Sequence, residues 1–219
     1  MRYSLLSALV AASVIVPAAH AGIVITEVMS SSGTGGTPDW FELTNDGSSA
    51  VSLTGWKMDD GSFNIAAAVA LSGISSIGAG ESVIFIESAA GAGVASFRTF
   101  WGGLANVQVG YYSGSGVSLG SGGDGVGVFN NLNTLVNQVS FGAATGGSSF
   151  FWGWDSMGAI DPNYSGVVST VGTIGTQVGF VSADALGNIG SLGTAILVPA
   201  PGVAAIAALA LAIRTRRRA

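Results

Sequence analysis

Apolar and polar residues alternate in short runs along most of this chain, with a period of two rather than 3.6. Ile23 and Ile25 fall on one face and Val24 on the other, which predicts a first strand over residues 22–29. A polar Gly/Ser/Thr loop covers residues 30–38. Residues 40–44 and 51–58 then read as two strands of a hairpin joined by Asn45-Asp46-Gly47-Ser48-Ser49. Aromatic and β-branched residues suit a pleated, half-buried surface, and Asn-Asp-Gly supplies the positive φ of a tight connection. Asp59-Asp60-Gly61 punctuates the end of the second strand.

Residues 63–71 are apolar and Ala-rich, and their period fits a short helix or a buried strand; the neighbours favour a strand. Residues 82–87 are a strand, 89–95 a flexible connection, and 97–101 a helical turn or a strand end. A strand over 107–112 and a Gly/Ser loop over 113–124 follow. Residues 126–129 and 135–141 form a hairpin around Asn130-Asn131-Leu132-Asn133. Residues 165–181 alternate Val, Ile and Phe with Gly, Ser and Thr and add one or two strands, whereas 182–197 reads as a linker. Short strands at roughly ten-residue spacing predict an all-β antiparallel sandwich or barrel, and no internal repeat is present.

Several of these runs carry a family pattern. Ile25-Thr26-Glu27-Val28, Trp40-Phe41-Glu42-Leu43-Thr44-Asn45 and Leu53-Thr54-Gly55-Trp56 resemble the I-N-E-V, W-[IV]-E-L-Y-N and L-x-G-W strands of the lamin-tail domain. Residues 77–86 resemble that family's loop-Gly-strand unit, and residues 118–129 its S-L-x-N-x-G-D-x-V-x-L segment. Thr26 and Thr44 stand where the pattern has Asn and Tyr. The resemblance covers residues 22–142 in order. It implies an immunoglobulin-like antiparallel β-sandwich with a non-catalytic structural or binding role; residues 143–181 lie beyond the resemblance and read as a β-rich extension of the same domain.

Both ends differ from this body. Arg2, an apolar run over residues 5–16 and Ala19-His20-Ala21 form a secretory signal peptide over residues 1–21, with cleavage expected between Ala21 and Gly22. At the other end, Val198-Pro199-Ala200-Pro201-Gly202 precedes an apolar run over 203–213 and then Arg214, Arg216, Arg217 and Arg218. This resembles the PEP-CTERM sorting tag of bacterial surface proteins, with Ala200 in place of the usual Glu. The resemblance implies an exosortase-like sorting protease as a partner and an association with extracellular polysaccharide. The run sits near the lower length limit for a membrane span, and the arginines would hold its end in the cytoplasm.

With these ends set aside, only Lys57 and Arg98 stand against all twelve acids, a net charge of −10. An acidic body opposes nucleic-acid binding, which needs Lys and Arg on phosphates. There is no cysteine, so an exported chain must be held by its core alone. The 35 glycines sit between apolar runs, where turns and bulges use them.

Catalytic side chains are few. His20 is the only histidine and leaves with the signal peptide, which excludes Ser-His-Asp and Cys-His catalysis and the usual zinc sites from residues 22–219. Lys57 lacks a nucleophile elbow beside it. Glu27 and Glu42, on strands expected to be neighbours, are the minimum pair for a glycoside hydrolase, the alternative to a binding module. The plainer expectation puts both on a solvated face opposite Phe41 and Leu43. Asp59, Asp60 and Asp124 offer oxygen ligands in loops, as calcium prefers, or serve as ordinary turn acids; no other cofactor is implied. Phe151, Trp152 and Trp154, in the run Phe150-Phe151-Trp152-Gly153-Trp154-Asp155, close the core or form an aromatic platform for sugar rings or another surface protein. Some exposure of this run is expected either way.

Overall fold

Alternation along the chain becomes two facing sheets in the computed structural model, which describes residues 22–102, 104–155, 158–174, 177–181 and 186–198. The chain begins with β1 (Ile23–Met29), β2 (Trp40–Asn45), β3 (Val51–Ser52), β4 (Lys57–Asp59), β5 (Val69–Ala70) and β6 (Ser76–Ile77). Next come β7 (Ser82–Glu87), α1 (Val94–Phe100), β8 (Gln108–Tyr112), β9 (Asp124–Phe129) and β10 (Leu135–Phe141). β11 (Phe150–Asp155), β12 (Ile160–Val168), β13 (Gly172–Ile174), β14 (Gln177–Val181), β15 (Ile189–Gly190) and β16 (Ile196–Val198) follow.

The larger sheet runs β12–β11–β1–β2–β7–β8, with β16 also on β11, and faces a smaller sheet ordered β10–β9–β4–β5. Period-two alternation sends Phe41, Leu43, Val83 and Phe85 inward, where they meet Met58, Val126, Val128 and Val139 of the opposing sheet. Phe41 stacks on Phe85 with ring centroids 5.7 Å apart. The other face of the large sheet is covered too. Trp40, Ile84 and Ile86 point outward into a second cluster with Phe97 of α1 and Trp101 just beyond it. A strand covered on both faces reads as a continuous apolar run, which is why 83–86 is Val-Ile-Phe-Ile without a polar break.

The all-β class and the β9–β10 hairpin match expectation, with Asn133 at φ 61° in the connection. The hairpin expected between 40–44 and 51–58 does not form. β2 is already paired on both edges, by β1 and β7. A turn in which Trp56 N–H donates to Leu53 O at 3.0 Å, with Gly55 at φ 79°, cuts the second run in two. Its halves join different partners, β3 with β6 and β4 with β5 and β9.

Other expectations change as well. Residues 63–71 are mostly turns ending in β5; residues 89–95, expected as a flexible connection, hold a 3₁₀ turn (Ala89–Gly91) and the start of α1, which continues into the helical alternative offered for 97–101. Because α1 carries the chain across the sheet, β8 returns parallel to β7, an exception to the antiparallel pattern. The expected linker over 182–197 also contains structure. Within it β15 pairs with β14, and β16, which begins at Ile196, pairs with β11.

Ala19 and Ala21, residues 199–213, and Arg214, Arg216, Arg217 and Arg218 lie outside the described residues. Among the described residues no helix is long and apolar enough to cross a membrane.

Candidate functional site

The outward face of the large sheet is apolar at one end and polar at the other, and the polar end contains the two glutamates. Glu27 on β1 and Glu42 on β2 are register partners. The register slips by one between Ile25 and Glu27, so Thr26 is the extra residue of a β-bulge. The bulge turns Thr26 towards Glu42: its Oγ1 donates to Glu42 Oε1 at 2.6 Å and lies 2.9 Å from Thr44 Oγ1. Thr44 Oγ1 lies 2.6 Å from Ser82 Oγ, extending the polar stripe across three strands.

A strap formed by residues 188–193 closes over this stripe. Ser191 N–H donates to Glu27 Oε1 at 2.8 Å and to Oε2 at 3.1 Å, and Ser191 Oγ donates to Oε2 at 2.9 Å. From the start of β11 and the end of β12, Ser149 Oγ donates to Glu27 Oε1, and Ser169 Oγ lies 2.6 Å from Ser149 Oγ. Gly193 N–H donates to Glu42 Oε2. All four carboxylate oxygens therefore accept hydrogen bonds from protein groups. Asn188 ties the strap to the loop after β1, accepting from Gly33 N–H at 2.6 Å and donating to Thr34 O at 3.2 Å.

The fit is close. A methyl group at Gly190 would lie 2.9 Å from Leu192 Cδ1, 3.1 Å from Glu27 Oε1 and 3.2 Å from Trp40 Cζ2. Glycine lets the strap backbone approach the sheet here without displacing these neighbours.

Both glutamates are fully buried, which corrects the expectation of a solvated face. They do lie opposite Phe41 and Leu43, but the strap excludes water. Burial pushes the Glu27 carboxyl up to about 7, against the pull of the serine donors. Burial and then the charge of Glu27 push Glu42 up to about 8. The pair therefore holds at least one proton at neutral pH. Glu27, with more donors, is the better site for the negative charge.

Such a pair can hold a strap, but it does not face a substrate. Glycoside hydrolysis needs two carboxyl groups against a sugar, whereas here each carboxyl group is enclosed by its own chain. The geometry gives the hydrolase alternative no support.

The aromatic run is also enclosed. Phe151 is 1% exposed, Trp152 2% and Trp154 4%, which corrects the expected platform. β11 lies inside the sheet with both faces covered, so alternate side chains find a core on either side. Trp152 and Trp154 join the inner core, and Phe151 packs beside Tyr164 with ring centroids 6.4 Å apart. Trp154 Nε1 donates to Ile25 O at 2.8 Å.

The structure does bring the two acidic loops together. Asp124 accepts from Gly61 N–H at 2.8 Å and Gly120 N–H at 2.6 Å. Asp59 accepts from Ser62 Oγ at 2.7 Å and Asn64 N–H at 2.6 Å, and Asp60 accepts from Ser62 N–H at 3.0 Å. Apart from the Gly61–Asp124 link between the loops, these are contacts within a turn. Among the described residues no group of three or more His, Cys, Asp or Glu side chains could hold a metal ion.

Sequence reasoning missed Ser149, Ser169, Asn188, Ser191 and Gly193. The available signal was negative: Glu27 and Glu42 each sit in an apolar run, so burial was as open to them as to their neighbours. Thr26 and Thr44, where the chain departs from the family pattern, both belong to the hydrogen-bond network around Glu42.

Comparison with family models matches residues 16–143 to one described as Lamin Tail Domain. No curated protein matches the chain.

Proposed function

The chain belongs to the lamin tail domain family, and from that premise we propose that it is an exported structural or binding module displayed at a bacterial surface. Lamin tail domains are immunoglobulin-like β-sandwiches and are not typically catalytic. Display rests on the two ends of the sequence. The observation that carries it is the order of motifs along the sequence: Arg2, the apolar run over residues 5–16 and Ala19-His20-Ala21 precede β1, and Val198-Pro199-Ala200-Pro201-Gly202, the apolar run over 203–213 and the terminal arginines follow the β-rich body.

The tail would hold the domain in the membrane through residues 203–213, with Arg214, Arg216, Arg217 and Arg218 in the cytoplasm. An exosortase-like protease would act near residues 199–202 and release the module towards extracellular polysaccharide or another surface protein. A body of charge −10 suits a role away from anionic lipid.

Intact mass of the protein from membranes and, separately, from culture medium tests this. A species from Gly22 to Ala219 in membranes means anchoring without sorting. A species ending within 198–202 means the Ala200 motif is cut. Protein recovered only from the cytoplasm with residues 1–21 still attached would end the reading.

A further inference from the structure

We propose that Asp46 is a built seat for the amino terminus created by signal-peptide removal at the Ala21–Gly22 bond; the inference rests on the export reading above. Gly22 N–H donates to Asp46 Oδ1 at 2.9 Å, and Asp46 N–H donates back to Gly22 O at 3.1 Å. This reciprocal pair closes the open end of β1 against β2, one step beyond the Ile23–Asn45 register pair.

The seat is held before the terminus exists. Asn45 is fully buried, and its side chain fixes the turn that presents Asp46. Asn45 Oδ1 accepts from Gly47 N–H at 3.0 Å, while Nδ2 donates to Ser49 O at 2.8 Å and Ile77 O at 3.1 Å. Asn45 N–H donates to Glu81 O at 2.9 Å, and Gly80 N–H donates to Asn45 O at 2.8 Å. The turn therefore has few alternative positions, and the Asp46 carboxylate stays within reach of Gly22 N.

Hydrolysis supplies the charge. Water adds across the Ala21–Gly22 amide: the carbonyl carbon of Ala21 gains the oxygen and leaves as a carboxylate, and the Gly22 nitrogen leaves as an amine and takes up a proton near neutral pH. A neutral N–H donor facing Asp46 becomes an ammonium facing the same carboxylate. The bond to the Asp46 carboxylate has one ionised partner before cleavage; the ammonium adds Coulomb attraction between two opposite charges. Cleavage at this bond strengthens the β1–β2 end of the sheet, and cleavage one residue earlier leaves only the amide contact. Asp46 thus makes the mature fold sensitive to where it was cut.

A mutant cycle on the chain ending at Ala219 tests the seat. Three starts are compared: free Gly22, N-acetylated Gly22 and free Ala21, each with Asp46, Asp46→Asn and Asp46→Ser. Urea unfolding is followed at pH 6.5 in low salt and in 1 M NaCl. The expected result is an Asp46→Asn loss in folding equilibrium about 3- to 5-fold greater with free Gly22 than with either other start, shrinking in high salt. Asp46→Ser, which keeps an acceptor without charge, should repeat that pattern. Equal losses across the three starts overturn the seat. The intact mass of the exported chain separates this from the export reading. A first residue other than Gly22 overturns the processing step whatever the cycle gives; Gly22 first without coupling overturns the seat alone.

Discussion

The two faces of β1 and β2 solve the same problem, exclusion of water, by different means. Towards the smaller sheet, Ile25, Val28, Phe41 and Leu43 meet apolar partners. That stabilisation is non-directional and scales with buried area. Away from it, Thr26, Glu27, Glu42 and Thr44 are just as buried but polar. Their burial costs free energy unless each donor and acceptor is placed, and the strap does the placing. The apolar face tolerates errors in partner and angle. The polar face specifies which backbone segment lies over it, and it couples the fold to proton concentration.

Loss of side-chain volume should hurt the inner face most. Phe41→Ala removes a fully buried ring between Phe85 and Tyr112 and is expected to cost about 3–5 kcal/mol in urea unfolding, equally at pH 5.5 and 8.5. A cost that varied strongly with pH would erase the contrast between the faces. On the polar face, Glu27→Ala removes the carboxylate that accepts from Ser149 Oγ and from Ser191 N–H and Oγ, at about 2–3 kcal/mol. Proteolysis should then cut first within 186–198, and cleavage spread evenly over the chain would deny the strap its dependence on Glu27.

The pH dependence follows from the raised carboxyls. Unfolded glutamates ionise near their ordinary value of 4.5, while folded Glu27 and Glu42 keep protons up to about 7 and 8. Between those limits the folded chain binds more protons, so these groups make stability fall as pH rises from about 4.5 to 8, and level off above. Asp39, raised to about 6 by burial and then by Glu87, acts in the same direction. Glu42→Gln should flatten the thermal-midpoint profile between pH 5.5 and 8.5 and raise stability at the alkaline end. A profile as steep as that of the unaltered chain would remove the pair from the account. Smallest is Gly190→Ala, which crowds Leu192, Glu27 and Trp40 at about 1–2 kcal/mol. Its hydrogen-exchange signature should be faster exchange at Ser191 and Gly193 with Phe41 and Phe85 unchanged; protection lost evenly would show the strap and core to be one cooperative unit.

How much the sequence disclosed depended on where the information lay. β1, β2, β7 and the β9–β10 hairpin were legible because period and turn residues are local. The partner of a strand is not local. The 51–58 run pairs elsewhere because β1 and β7 already occupy both edges of β2, and β8 turns parallel because α1 intervenes. Phe151, Trp152 and Trp154 looked too large to bury together until β11 took an interior place in the sheet. Glu27 and Glu42 were picked out, but their burial was not. The donors that enclose them are the backbone N–H groups of Ser191 and Gly193, which any residue except proline could supply, and hydroxyls of Ser149 and Ser191 brought in from far along the chain.

Were the domain anchored through its tail as proposed, the pairing of β16 would decide which way up it stands. β16 runs parallel to β11, which runs antiparallel to β1, so Val198 finishes level with Asp155, at the end of the sheet where Ile23 begins. Met29, Trp40, Glu87 and Phe150 mark the opposite end. A tether leaving Val198 would thus hold the Gly22 end towards its anchor. The loop between β1 and β2 and the approach to β11 would then form the crown, the first part of the molecule that anything arriving from outside would meet.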